Sequence, residues 1–407
     1  MKTNAAEAAG GNVRLLWIMF AAYFTFGIVL NVVGVMIPVL IKQYHLSLFV
    51  GGLLAFALYI PFGVCSIPAG LGADRLGPKP VILLGVLMMA AGCGAIVWVQ
   101  GFVSIIVAAF VIGSGIALLE TAGNPLIERL DRPENYHRNL TLTIGFCGIG
   151  AFAGPFCLSA LQTHGQPWQR LYAGYAVLCG VLLILLAVAA FPERGVGATE
   201  RLRPREIARL LSHPLAVTYF LAIFFYVGAE VGTASWIVRF FQQIHGLSEV
   251  RTGGAGMSPL MRFLPALPAL TVSLFWGLQG VGRLTSGPGI HKLGARNMLR
   301  LYAVAAAGCL LLAMFGSVRV TAFGFAACGF FTSVLFTLLF SGAIHTFMES
   351  KGTLSGLLVT ASIGGGVIPP LVGLSADHFG IRVAMAVPLL CFLYVLTVAF
   401  AGRAEYE

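Results

Sequence analysis

The stretch VILLGVLMMAAGCGAIVWV, residues 81–99, contains no charged side chain. An uncharged apolar run of about 18 residues or more is typical of a transmembrane helix, because a helix of that length crosses the hydrocarbon core of a bilayer. A second such run, YAVLCGVLLILLAVAAF, occupies residues 175–191. Of the 407 residues, 58% are hydrophobic and only 10% are charged, too few charges to cover a soluble protein of this size. The composition therefore predicts a polytopic membrane protein.

Twelve apolar segments follow one another along the chain, so we predict an all-α membrane protein with twelve transmembrane helices. The first segment is too long for a cleaved signal peptide, and further spans follow it. The start of the eighth is the least defined, because prolines interrupt it. The predicted limits are 14–42, 49–73, 79–99, 101–127, 138–162, 169–191, 215–241, 261–287, 297–316, 320–347, 353–376 and 383–402.

The longest hydrophilic break, PERGVGATERLRPREIARLLSHP at residues 192–214, separates six spans from six. Its PREIARLL part has amphipathic spacing and predicts a short helix on the cytoplasmic surface. The two halves also echo each other, since GFCGIGAFAGP in the fifth span resembles ASIGGGVIPP in the eleventh. We therefore predict two pseudo-symmetric six-helix bundles, residues 1–191 and 215–407, with a site between them.

The placement of charge predicts the orientation of the chain. With both termini in the cytoplasm, 18 of the 25 Lys and Arg residues lie on the cytoplasmic side and seven lie outside. This bias follows the positive-inside rule, so the net charge of +10 indicates topology and not a nucleic-acid partner. The short loops favour a bacterial inner membrane. The eight cysteines lie singly within spans without metal-ligand spacing, so we expect neither a metal nor a cofactor.

The loop after the second span reads GLGADRLGPKP, residues 70–80, and a weaker echo, GLSADHFG, occupies residues 373–380. The first segment resembles the signature cytoplasmic loop of the major facilitator superfamily, which implies the major facilitator fold. Glycines let two spans turn tightly, and an aspartate can accept hydrogen bonds from a neighbouring helix end. We expect conformational gating from Gly70, Asp74, Arg75, Gly77, Lys79 and Asp377.

A narrower resemblance rests on four segments. ALLETAGNP (117–125), YVGAEVGTASW (226–236), WGLQGVGRLTSG (276–287) and SIGGGVIPP (362–370) are similar to segments of the fucose, glucose and galactose proton symporters. The resemblance implies that Glu120 lies in the central cavity and takes part in proton coupling and sugar binding. Asn124 lies one turn further on the same face. The chain departs from the fucose porters in three places. Gly34 replaces a span-1 aspartate, Leu142 and Gly145 replace polar amides of span 5, and Glu230 is an additional acid in span 7.

Glu120 lies deep in its span, eight residues before Glu128, or about 12 Å along a helix. Its side chain is too short to reach the headgroups, and contact with lipid would cost several kcal/mol, so it must face the bundle interior or water. We expect it to carry the coupled proton. A packing role, with the carboxyl bonded by a neighbouring hydroxyl or amide, is the alternative.

Glu230 lies nine residues before Arg239, again about 13 Å from the nearest boundary. Thr233 and Trp236 continue its stripe at helical spacing, and an acid, a hydroxyl and an indole could together hold a sugar. We expect proton coupling and substrate binding here. An ion pair with an arginine across the bundle is the alternative.

Three further side chains are weaker candidates for substrate contact. Asn31 lies mid-span, where close helix packing is the alternative to lining the cavity. Trp276 and Gln279 lie in the eighth span and could reach the substrate, and core packing is the favoured alternative for Trp276. Arg283 is expected to mark the cytoplasmic end of that span. No Lys or Arg is then left deep in a span, which favours a neutral substrate over an anionic one.

We therefore predict a monomeric secondary active transporter in the lipid bilayer that imports a monosaccharide with protons by alternating access. Proton-antiport efflux of amphipathic or cationic compounds is the alternative within transport. A non-transporting sensor would need a larger cytoplasmic domain than residues 192–214 allow. The chain contains neither a P-loop nor a nucleophile–base constellation, so we do not expect an enzyme.

Overall fold

The structure is a computed structural model that describes residues 2–130, 136–192, 209–247, 267–347 and 351–401. Its helices follow the predicted order, and we number them as spans 1 to 12. Their bounds are Lys2–Leu30 with Val33–Tyr44 (span 1), Leu48–Leu76 (2), Pro78–Trp98 (3), Phe102–Arg129 (4), Tyr136–Thr163 (5), Gln169–Val188 (6), Pro214–His245 (7), Leu267–Thr285 (8), Ala295–Phe315 (9), Val318–Thr332 with Leu335–Thr346 (10), Lys351–Thr360 with Gly364–Phe379 (11), and Ile381–Ala384 with Ala386–Ala401 (12).

Eleven of these spans are long and apolar enough, within the described residues, to cross a membrane. The remaining one is span 8, a helix of 19 residues that carries Gln279 and Arg283. The residues before it, 248–266, lie outside the described part of the chain. The predicted amphipathic helix at residues 204–211 also lies mostly outside it, and only residues 209–211 are described as helical. The all-α fold with twelve spans is confirmed.

Spans 1, 10 and 11 are interrupted within the membrane, where continuous helices were predicted. In span 1, the Asn31 amide donates to the Gly27 carbonyl oxygen at 3.0 Å, and in span 10 the Thr332 hydroxyl donates to Gly329 at 2.8 Å. Such bonds from a side chain to its own helix compete with the regular helix ladder. Irregular backbone at membrane depth is tolerated where protein or a water-filled cavity surrounds it. The interruptions are at residues 31–32, 333–334 and 361–363.

Matching glycine contacts reveal the two repeats. A Cβ on Gly113 of span 4 would overlap the carbonyl oxygen of Leu58 in span 2. A Cβ on Gly329 of span 10 would overlap the carbonyl oxygen of Phe275 in span 8 in the same way. Spans 2 and 4 occupy the same places in the first series of six as spans 8 and 10 in the second. Both halves therefore use a glycine to bring the same pair of helices together.

Basic side chains tie the start of a span to the end of a later span in each half. Lys79 donates to the carbonyl oxygens of Ala187 and Ala189 at 2.8 and 2.9 Å, where span 6 ends. In the second half, Arg300 of span 9 donates to Ala399 of span 12 at 3.0 Å. A cation is favourable at the carbonyl end of a helix because it satisfies free acceptors and complements the helix dipole. Lys79 is thus held within the first half.

The turn between spans 2 and 3 consists of Gly77 alone. Its φ of 90° lies in the region that favours glycine. Gly70 was expected to help form this turn, but it lies inside the helix of span 2 and faces Thr121 of span 4. Gly380, the last residue of the GLSADHFG echo, has a similar φ of 79° and separates spans 11 and 12. The echo therefore repeats the geometry of the turn on the other side of the bundle.

The two halves are in close contact on the side away from the chain termini, which we call the distal side; the side of the termini is the terminal side. A Cβ on Gly34 would overlap the carbonyl oxygen of Ala234 in span 7, and a Cβ on Gly52 would lie 2.7 Å from Pro370 in span 11. The part of span 1 that packs on span 7 is its distal helix. Asn124, nearer the terminal side, is exposed. The halves are thus in contact on the distal side, while Asn124 is exposed nearer the terminal side.

The glycine crossing inside the first half predicts a stability difference. Gly113→Ala should lower the apparent melting temperature, because overpacking at the Leu58 carbonyl costs about 1–3 kcal/mol. The matched control is Gly174→Ala in span 6, where a Cβ meets no atom of the described residues within 4 Å and stability should not fall. Thermal unfolding of both purified variants checks this. Equal melting temperatures for the two variants would contradict the described crossing.

Candidate functional site

Glu120 is a half-buried residue of span 4. It lies nine residues before Arg129, where the helix ends. That distance is about 14 Å along the helix, well inside the membrane. Tyr23 of span 1 faces it, and the charge of Glu120 acts on the Tyr23 hydroxyl. This hydroxyl donates a hydrogen bond to Oδ1 of Asn124, one turn after Glu120. The structure therefore brings Glu120 and Asn124 together on the face predicted from their spacing.

Glu230 is buried in span 7, with 6% of its surface exposed. The hydroxyl of Tyr226, one turn earlier, lies 3.0 Å from Glu230 Oε1 and 2.9 Å from the carbonyl oxygen of Thr332. Thr332 is the last residue before the interruption in span 10. Glu230 is therefore connected through one tyrosine to the irregular backbone of another span.

Arg283 corrects an expectation from the sequence. Its Nε donates to the carbonyl oxygen of Ser333, at the interruption in span 10, at 3.2 Å. Its charge acts on both Glu120 and Glu230. Side chains tilt toward the N-terminus of their helix, and in span 8 this direction leads from the terminal side into the bundle. Arg283 does lie in the last turn of span 8, as expected. The expectation that no basic group reaches the interior is wrong.

A small cavity between the halves contains two of the predicted residues. Asn31 and Trp276 line it together with Leu30, Val33, Gly34, Tyr59, Val231, Ala234 and Ser235. The cavity has room for about one water molecule, because the distal parts of spans 1 and 7 are in contact. The contact at Ala234 also leaves no space for an aspartate in place of Gly34 in this conformation.

Trp236 is not brought to this region. Its indole Nε1 donates to the carbonyl oxygen of Pro369 in span 11 at 3.0 Å, and its side chain is fully buried. Three residues cover about 300° of a helix, so each step of three falls about 60° short of a full turn. After two steps, Trp236 lies about 120° around the helix from Glu230. Thr233 remains nearer the face of Glu230.

Several buried polar atoms of the second half lack a hydrogen-bond partner in the described part of the chain. Buried polar groups nearly always have a partner, so such atoms indicate where water or a ligand would bond. The predicted residues Thr233 and Gln279 are among them, with 0% and 4% of their surface exposed. The atoms in spans 7, 8 and 10 are Thr233 Oγ1, Arg239 Nε, Ser273 Oγ, Gln279 Nε2 and Ser333 Oγ.

Three tyrosines in the site were missed at the sequence level. Tyr226 precedes Glu230 by four residues, a spacing that places two side chains on one helix face and could have revealed the contact. Tyr23 and Tyr59 lie in other spans than the two acids, so their spacing in the sequence could not indicate that they are near Glu120 or Glu230. The charges of both Glu120 and Glu230 act on Tyr59, a span-2 residue that lines the cavity between the halves.

Asp377 forms a contact between the halves on the distal side. Its carboxylate accepts hydrogen bonds from the backbone N–H groups of Leu48 and Phe49, at 2.8 and 2.9 Å, where span 2 begins. Its charge also acts on Arg239 near the end of span 7. A carboxylate at the start of a helix satisfies free N–H groups and complements the helix dipole. By contrast, Asp74 and Arg75 of the signature segment lie exposed at the terminal end of span 2.

Comparison with known proteins extends the resemblance over the whole chain. The putative glucose/galactose transporter of Helicobacter pylori strain J99 is 27% identical, with 97% of this chain and 98% of the relative covered. The L-fucose-proton symporter of Escherichia coli K12 is 24% identical, with 97% and 95% covered. The similarity to sugar transporters of this kind is confirmed.

Solved structures show the same fold. The Escherichia coli fucose:proton symporter in the outward conformation superposes with a TM-score of 0.66 at 22% identity, with 97% of this chain and all of that chain covered. A bacterial homologue of the human lysosomal transporter Spinster, inward-facing and occupied, gives a TM-score of 0.73 at 14% identity over 95% of this chain and 96% of that one. The family model for the Major Facilitator Superfamily matches residues 19–278. With its twelve spans in two similar halves and a site between them, the chain belongs to the Major Facilitator Superfamily.

Proposed function

We propose that the protein imports a small neutral sugar together with protons, by alternating access between residues 1–191 and 215–407. The observation that carries the proposal is the half-buried carboxylate of Glu120, held at membrane depth one helical turn from the exposed Asn124. Intramembrane acids of this kind commonly form proton pathways. The sugar-transporting relatives, which match nearly the whole chain, support the same function.

In this proposal the protein is a monomer in the inner membrane of a bacterial cell, and its terminal side faces the cytoplasm. The excess of Lys and Arg on that side supports this orientation. The structure then corresponds to an inward-facing state, because the distal side is closed around Gly34, Gly52 and Asp377. Sugar and proton would leave from this state into the cytoplasm.

Glu120 carries the proton in this scheme. Partial exposure lets its carboxyl exchange a proton with water on the terminal side, while Tyr23 and Asn124 hold the adjacent wall. Glu230 is a second titratable group but is more deeply buried. Protonation at membrane depth removes the cost of a charge, so a loaded carrier can change conformation more easily than an unloaded one.

A neutral sugar fits the site better than an anion. Arg283 would attract an anion, but its charge acts on two carboxylates that already compensate it. The remaining groups are hydroxyls, amides and an indole, which suit hydrogen bonding to sugar hydroxyls and stacking on a sugar ring. The proposed substrate contacts are Asn31, Glu120, Asn124, Glu230, Thr233, Trp276 and Gln279.

Gating depends on different groups on the two sides. On the distal side Asp377 joins span 11 to the start of span 2, and this contact must break for the sugar to enter. On the terminal side, Asp74, Arg75 and Gly77 of the signature segment would contact the second half when that side closes, while Lys79 holds the segment to the end of span 6. The two sides therefore exchange contacts during each cycle.

Glu120→Gln should abolish accumulation of sugar against a gradient while sugar exchange persists. Glutamine keeps the size and hydrogen bonding of the side chain but cannot carry a proton. Proteoliposomes loaded with D-glucose, D-galactose or L-fucose would be assayed for uptake driven by a pH gradient, and for counterflow without one as the internal control. Wild-type accumulation by the variant would overturn the role of Glu120.

Asp377→Asn should open the distal side. An amide has one acceptor atom in place of two and lacks the charge that complements the start of span 2. In a Ser235→Cys background, a membrane-impermeant maleimide added from the distal side should label the new cysteine several-fold faster. The matched control is His378→Asn, since His378 is exposed and bonds to Leu374 of its own helix. Equal labelling of the two variants would exclude the gate.

A further inference from the structure

The hydroxyl of Tyr226 has a single proton and two possible acceptors. Glu230 Oε1 lies 3.0 Å from it, and the carbonyl oxygen of Thr332 lies 2.9 Å from it. A carbonyl oxygen can only accept, and an ionised carboxylate can also only accept. All three groups can therefore be satisfied together only when Glu230 is protonated and supplies a proton of its own.

The two protonation states of Glu230 consequently produce two arrangements. When Glu230 is protonated, its O–H donates to the Tyr226 oxygen, and the tyrosine proton is free to bond to Thr332. When Glu230 is ionised, the tyrosine proton turns to the carboxylate, since a hydrogen bond to a charged acceptor is about twice as strong as a neutral one. The carbonyl of Thr332 then loses this bond. One proton is added to or removed from Glu230, and no other covalent bond changes.

We propose that Tyr226 is a positioning residue that couples protonation of Glu230 to the backbone interruption in span 10. The proposal rests on proton coupling as described above, and it extends that coupling to a specific movable element. Thr332 ends the first helix of span 10, and the second helix, Leu335–Thr346, runs from the interruption to the terminal side. Loss of the bond to Thr332 would free this second helix to pivot toward or away from the terminal opening.

A second side chain holds the same interruption but does not respond to pH. Arg283 donates to Ser333, the residue after Thr332, at 3.2 Å. Arginine remains charged at all physiological pH values, so this bond persists while the tyrosine bond changes. The interruption thus has one constant attachment, which acts as a pivot point, and one attachment that depends on protonation.

The titratable groups around Glu230 come from four spans. Within the described residues, those whose charges interact with Glu230 are Tyr226 of its own span, Arg283 of span 8, Tyr59 of span 2 and Cys328 of span 10. Tyr226 is the one for which a hydrogen bond to Glu230 is recorded. Arg283 also hydrogen-bonds to Tyr226, so it holds the tyrosine as well as Ser333. The link from Glu230 to the Thr332 carbonyl oxygen passes through the Tyr226 hydroxyl.

Amide hydrogen exchange over residues 330–338 tests the coupling. The purified full-length protein in lipid nanodiscs would be measured between about pH 5 and pH 9, with rates divided by the chemical exchange rate at each pH. Protection of this segment in the wild type should fall several-fold as pH rises. Glu230→Gln should be protected at every pH, because its amide N–H replaces the proton of the acid. Tyr226→Phe should be weakly protected at every pH.

Tyr175→Phe is the matched control, since Tyr175 is a buried tyrosine whose hydroxyl lacks a recorded partner. It should behave as the wild type. Persistence of the wild-type pH dependence in either Tyr226→Phe or Glu230→Gln would overturn the proposal, and the second variant decides the question if the first is unstable. Exchange requires neither sugar nor a gradient. Failure of the wild type to accumulate sugar would therefore reject the proposed function alone.

Discussion

Two carboxylates at the depth of the hydrocarbon core are the constraint on which the interior depends. A charged group there costs several kcal/mol unless protein or water compensates it. Arg283 of span 8 and Tyr226 of span 7 interact with Glu230, and Tyr23 of span 1 interacts with Glu120. Span 10 is interrupted nearby, and the carbonyl oxygens of Thr332 and Ser333 accept hydrogen bonds from Tyr226 and Arg283. Charge, hydrogen bonding and irregular backbone are therefore concentrated in one region between the halves.

Movement of the halves relies on a different property, the close approach of helix backbones. Gly34 and Gly52 let the distal ends of the two halves touch, and Asp377 adds a charged hydrogen-bond pair at their edge. Gly113 and Gly329 instead bind helices together within each half. The first group of contacts must open during transport and the second must not. This division explains how rigid halves can rock around a site without losing their internal packing.

The sequence was sufficient to predict the fold and the position of Glu120, because both depend on local patterns. Long uncharged runs reveal the spans, and an acid within such a run must face the interior. The reach of Arg283 was not predictable, since the length and tilt of a side chain matter more than its position along the helix. The displacement of Trp236 was missed because a three-residue spacing drifts around a helix. The interruptions of spans 1 and 10 and the contact of Asp377 with span 2 depend on partners far away in the chain.

The most direct test of proton-coupled sugar import is the charge that moves with the sugar. Proteoliposomes adsorbed on a solid-supported membrane would receive D-glucose, D-galactose or L-fucose at equal pH on both sides. A neutral sugar that enters with a proton must produce a saturable current of positive charge in the direction of the sugar. Sugar exchange without any current, or a current opposite to the direction of the sugar, would contradict symport.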